Sequence, residues 1–136
     1  MTWPWQKKWD PEISGIISSG ALYRKLRKLH PEAQVICMDR EYQIPADPSD
    51  VIWHYFPFNL LYIKGKRDCE DFTRIVRGEL SKDARGDLLV MDCVIDYPDG
   101  RHDLLAFLVD DHIEFGEPQT GKMRTFSTVK IIRLIA

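Results

Sequence analysis

The chain holds only three cysteines, Cys37, Cys69 and Cys93, too few and too irregularly spaced for a disulfide framework or a zinc motif. No apolar run approaches the roughly 18 residues that a membrane helix requires. The opening MTWPWQKKWD lacks the apolar stretch of a secretory leader, so the expected compartment is the cytoplasm. Charge of one sign is also missing. The net charge is −2, which gives no electrostatic footprint for general nucleic-acid binding. Walker loops, dinucleotide fingerprints and His-Glu-x-x-His are absent as well. What remains is an ordinary globular composition, 44% hydrophobic and 29% charged over 136 residues, read as one domain covering 1–136.

The first half reads as helices and loops. Asp10-Pro11-Glu12 carries the signature of a helix start, an acidic cap followed by proline and an acid in the first turn. A second helix is predicted over 21–30, with Leu22, Leu26 and Leu29 on one face and basic residues on the other. Pro31 stops it. A short buried strand is expected over 34–38. Pro45 and Pro48 mark a loop, and Ser49 is the predicted cap of a short helix over 50–55. Asp68 is the predicted cap of a further helix that Cys69 opens, with Phe72, Ile75, Val76 and Leu80 as its apolar stripe. Gly78 and Gly86 are read as closing it.

The second half reads as β. Strands are predicted over 88–96, 102–109, 112–117 and 127–135, with turns at Tyr97-Pro98-Asp99-Gly100, at Asp110-Asp111 and at Thr120-Gly121-Lys122. Cys37 and Cys93 fall in apolar runs and read as small buried hydrophobes. Cys69 stands apart in a charged stretch, at a helix start whose N–H groups favour a thiolate. His102 begins a strand after a turn. The hairpin over 102–117 brings Glu117 back toward His102, where a carboxylate could fix the imidazole tautomer. In that order the three residues carry the parts of a thiol nucleophile, its base and an orienting acid.

Taken singly, each has a plainer reading. Asp68, Glu70 and Asp71 oppose ionisation of Cys69 unless they cap the helix or meet a cation, and a lone strand-end histidine is most often a surface residue. His112 reads as a loop residue, and His30 and His54 as helical ones. The tryptophans at 3, 5, 9 and 53 read as packing aromatics, and Lys64-Gly65-Lys66-Arg67 as a solvated loop.

Cys69-Glu70-Asp71-Phe72, then Arg101-His102-Asp103, then Glu117-Pro118-Gln119 resembles the papain-like cysteine protease domain of the mushroom agglutinin C-terminal type, also found in bacterial and phage proteins. Asp39-Arg40-Glu41-Tyr42 resembles that family's lead-in. The resemblance implies a papain-like α+β fold, with a helix-rich N-terminal half and the nucleophile helix packed on an antiparallel β-sheet. It implies a hydrolase cutting amide bonds in a protein or peptide substrate, with Cys69 as nucleophile, His102 as base and Glu117 as orienting acid. It further implies calcium as cofactor, held by Glu70, Asp71 and Asp39. Glu70 stands where the family has aspartate, and His102 lacks the small neighbours usual there. Gln43 and Asn59 are the side-chain candidates for an oxyanion donor. Two other classes fit the same sequence: a deamidase or acyl-transfer effector, and a non-catalytic binding or inhibitor module of the phage type.

Overall fold

The structure, a computed structural model, describes residues 10–55, 69–82, 87–98, 100–118, 120–124, 126 and 129–136, without the side chains at 69, 70 and 97. The predicted roles of Trp3, Trp5, Trp9, Asn59, Asp68, Gly86 and Gln119, and of the basic loop at 64–67, fall outside the described residues.

The described residues do not begin with a helix. Ile13–Ser18 forms strand β1, which pairs antiparallel with β3 (Glu41–Pro45). The cap-like Asp10-Pro11-Glu12 leads into β-branched Ile13, Ile16 and Ile17 with Gly15 among them, residues that favour a pleated surface over a helix. Between the two strands lie α1 (Ser19–Leu29) and β2 (Gln34–Ile36). Helix α1 is where the apolar spacing put it. Ser18 Oγ accepts from Ala21 N at 3.2 Å, and Leu22 and Leu26 are buried.

Pro45 ends a strand and Pro48 opens a helix, α2 (Pro48–Tyr55). Its cap is Asp47 rather than Ser49: Asp47 Oδ1 accepts from Ser49 N at 3.1 Å and from Ser49 Oγ at 2.7 Å. Asp47→Ala is therefore expected to cost about 1 kcal/mol in a denaturant titration, as capping losses do, while Ser49→Ala costs less.

Helix α3 (Cys69–Lys82) runs through Gly78 and buries Phe72, Thr73, Val76 and Leu80. The remaining strands are β4 (Met91–Tyr97), β5 (Gly100–Val109), β6 (His112–Glu117), β7 (Lys122–Arg124) and β8 (Lys130–Ile135). They join β2 in a six-stranded sheet ordered β2-β8-β4-β5-β6-β7. The sheet is mixed, because β2 runs parallel to β8 while the other pairs are antiparallel. The β5–β6 hairpin turns at Asp110, whose φ of 51° is a left-handed conformation that aspartate tolerates.

Each sheet face has its own core. One gathers Leu22 and Leu26 of α1 with Tyr42, Cys93, Leu104, Ala106 and Leu134. The other gathers Val51 and Ile52 of α2, Val76 and Leu80 of α3, and Leu105 and Phe107 of the sheet. Gly116 permits the second: a Cβ there would lie 2.5 Å from Ile52 Cδ1 and 3.3 Å from Phe107 Cε2. The helix-rich papain-like α+β arrangement is thus replaced by a mostly β architecture. Eight strands and three short helices make up the described residues, and the N-terminal half contributes three of those strands.

Candidate functional site

Cys69 is the first residue of α3, as its position beside the predicted cap required. Only the backbone of that residue is described. Helix α3 meets the sheet through Val76 and Leu80, on the face that carries Leu105 and Phe107. His102 lies on β5 opposite Ile95, and the β4–β5 register runs without a shift. Strict alternation then places His102 with Leu104 and Ala106, on the face covered by α1. The position facing α3 belongs to Asp103, which is 5% exposed.

Glu117 shares the His102 face, because it alternates with Phe115, which pairs with Ala106. The β5–β6 ladder ends at Leu105–Gly116, so Glu117 leaves it short of His102. Its carboxylate is engaged instead at the β6–β7 turn. Thr120 Oγ1 donates to it at 3.1 Å, and Arg124 forms an ion pair with it. Thr120 and Gly121 amides both donate to the Glu117 carbonyl, and Gly121 takes a φ of 71°. Glu117 is thus the brace of a tight turn.

The other predicted residues have structural partners as well. Tyr42, buried at 1% exposure, accepts on its hydroxyl from the Met38 and Asp39 amides at 2.9 Å each. The lead-in Asp39-Arg40-Glu41-Tyr42 therefore folds around a tyrosine anchor. Gln43 is a ladder residue: its N–H donates to the Asp87 carbonyl at 2.9 Å, and its carbonyl accepts from Leu89 N at 2.7 Å. The Asp71 carboxylate lies 3.6 Å from Arg74 Nη1, a cation that opposes a second one at the same oxygen. Among the described residues no three of His, Cys, Asp or Glu converge to hold a metal. Of the expected calcium set, Asp39 and Asp71 belong to no such group, and the Glu70 side chain lies outside the described residues.

A concave site does exist elsewhere. An open cavity of about 360 Å³ lies along β6 and β7, lined among others by His112, Glu114, Phe115, Met123, Arg124 and Phe126. Phe115 and Phe126 meet edge to face with centroids 5.3 Å apart. The Arg124 guanidinium sits 5.0 Å above the Phe126 ring. His112 Nε2 lies 2.9 Å from Glu114 Oε2. His112 is the first residue of β6, as the predicted strand over 112–117 has it, and is not a loop residue. Strand β7 went unseen because three residues, Lys122–Arg124, carry too little alternation to register as a strand.

No protein-family model matches the chain, and no curated protein does. Solved structures do. One is a complex of PSL1a with E64, 18% identical with a TM-score of 0.75, covering 89% of this chain and 50% of that one. Another is Polyporus squamosus lectin bound to a human-type influenza-binding epitope, 15% identical with a TM-score of 0.71, covering 89% of this chain and 49% of that one. At these identities the likeness shows the fold, and this chain spans about half the length of those it matches. The fold is therefore one shared with Polyporus squamosus lectin structures. This corrects the resemblance to a papain-like cysteine protease domain and, with it, the expectation of a thiol hydrolase with a peptide substrate. Among the described residues no helix is long and apolar enough to cross a membrane.

Proposed function

We propose that this chain is a non-catalytic binding module and that its ligand is a glycan. The observation that carries the reading is the open, charged and aromatic cavity along β6 and β7, of a size within the usual range for small-molecule sites. Two of the three residues expected to form a triad support it by default. His102 lies on the sheet face away from α3, and the Glu117 carboxylate is committed to Thr120 and Arg124. The solved lectin structure adds a ligand class, since that protein holds Neu5Acα2-6Galβ1-4GlcNAc.

The test has two arms. Calorimetric titration with that trisaccharide is expected to give saturable binding. Incubation with E64, the compound in the other solved complex, is expected to leave the intact mass unchanged. E64 opens its epoxide on an activated thiolate, so an adduct mapped to Cys69 would overturn the module and restore a reactive thiol. A chain that is inert to E64 and binds no member of a glycan array would sink the glycan.

A further inference from the structure

Helix α3 rests on the sheet in two different ways. Its second half is apolar, with Val76 and Leu80 in one cluster with Leu88, Val90, Leu105 and Phe107. Its first half sets Thr73 against the sheet, fully buried. The register shows what lies beneath Thr73. Arg77 Nη1 donates to the Ile135 carbonyl at 3.2 Å, and Ile135 stands opposite Asp92. The turn after Arg77 carries Leu80, on the side of that level where Leu88 and Val90 lie. The turn before it carries Thr73 toward the other side, where Val94 pairs with Asp103 and Arg133. The distances match, because one helical turn advances about 5.4 Å and two strand residues about 6.7 Å. Asp92, Val94, Asp103 and Arg133 all face α3, since Cys93, Leu104 and Leu134 between them belong to the opposite core. Asp103 and Arg133 are the direct neighbours of Val94 on its two sides, and Asp92 is diagonal to both.

Three atoms of this polar layer are buried without a hydrogen-bond partner: Thr73 Oγ1, Asp92 Oδ1 and Arg133 Nε. Burying a polar atom unsatisfied is costly, and native proteins leave few. Here such atoms gather on one sheet face, under one helix. Their chemistry defines what satisfies them. Arg133 Nε–H donates, the Asp92 oxygen accepts and the Thr73 hydroxyl does both, so a shared ligand must donate and accept. The charges around it balance, Asp92 and Asp103 against Arg133 and Arg77, which favours a neutral ligand over a free ion. Among the described residues no three of His, Cys, Asp or Glu converge on a metal. An apolar ligand would leave all three atoms unsatisfied. Water is neutral, small enough for the space beneath a helix, and makes about two to four hydrogen bonds in such sites.

We infer that Thr73, Asp92 and Arg133 enclose an internal hydration site, in which ordered water joins the first half of α3 to β4 and β8. The site is independent of what the module binds along β6 and β7. Helix α3 is then held by two kinds of contact, apolar packing at Val76 and Leu80 and water-mediated hydrogen bonds one turn earlier. It also gives a reason for threonine at a fully buried helix position where valine has the same shape and better suits an apolar core.

The experiment uses the whole chain and has two readouts, the melting temperature of Thr73→Val and a high-resolution crystal structure of the wild type. Valine keeps the shape of threonine and removes the hydroxyl. If that hydroxyl holds water, its loss is expected to lower Tm by roughly 4 °C, the effect of one hydrogen bond in a chain of this length. If the hydroxyl has no partner, valine removes a buried unsatisfied group, and Tm stays or rises. The crystal structure is expected to show water within hydrogen-bond distance of at least two of Thr73 Oγ1, Asp92 Oδ1 and Arg133 Nε. An equal or higher Tm for Thr73→Val, a layer without water, or an ion in its place would overturn the site. Should Thr73→Val fail to fold, the wild-type crystal structure decides alone.

Discussion

Phe107→Ala is expected to lower the free energy of unfolding by about 3–5 kcal/mol, the usual range for deleting a buried phenyl ring. Phe107 is fully buried at the middle of the sheet, paired with Glu114 of β6. It belongs to the cluster in which Val51 and Ile52 of α2 and Val76 and Leu80 of α3 meet Leu105. The ring therefore fills the space between two helices and the strands that carry them. Alanine would leave a cavity that cannot collapse easily, because Gly116, with no side chain of its own, already lies beneath the ring. Urea titration with an unchanged m-value is the measurement. A loss below about 1 kcal/mol would mean that α2 and α3 do not share this core with the sheet.

The second large effect is expected at alkaline pH, and it comes from Cys93. Burial pushes its thiol far above the ordinary cysteine range, and the carboxylates of Asp103 and Asp92 push it in the same direction. In the unfolded chain the thiol ionises near its ordinary value of about 8.5. A group whose folded pKa is raised contributes stability that is fully present below the unfolded pKa and is lost as pH rises above it. Between about pH 9 and 11 the unfolded state releases a proton that the native state retains, so this residue should cost about 1.4 kcal/mol per pH unit. Cys93→Ala is less stable at neutral pH because of the cavity it leaves, yet it lacks this slope. The difference in unfolding free energy between wild type and Cys93→Ala should therefore shrink as pH rises. Parallel pH profiles for the two proteins would show that Cys93 is not buried as described.

Local patterns account for the parts of the fold that were legible in the sequence. The spacing of Leu22 and Leu26 behind Ser18 specifies α1, and Phe72, Val76 and Leu80 specify the buried stripe of α3. The alternation through 102–109 and 112–117, with Asp110 between, specifies the β5–β6 hairpin. In each case neighbouring residues supply both the pattern and the partner. Where the partner is distant, the pattern misled. The segment after Asp10 carries helix-start residues, but Ile13–Ser18 is held by Glu41–Pro45 across the whole of α1 and β2. Parallel pairing of β2 with β8 joins Gln34–Ile36 to Arg133–Ile135, far apart in the chain, and no short-range signal announces it.

The candidate site divides along the same line. Sequence alone determined that Cys69 opens a helix, that His102 lies on a strand and that Glu117 closes the next one. It could not determine which face each side chain takes. A strand alternates with a period of two, so a single residue decides between the α1 side and the α3 side. The register of β4 against β5 decides it: Leu104 opposite Cys93 sets His102 toward α1 and turns Asp103 toward α3. Tertiary structure likewise decided the role of Glu117, by bringing Arg124 of β7 beside it, and created the β6–β7 cavity from residues that no sequence motif joins.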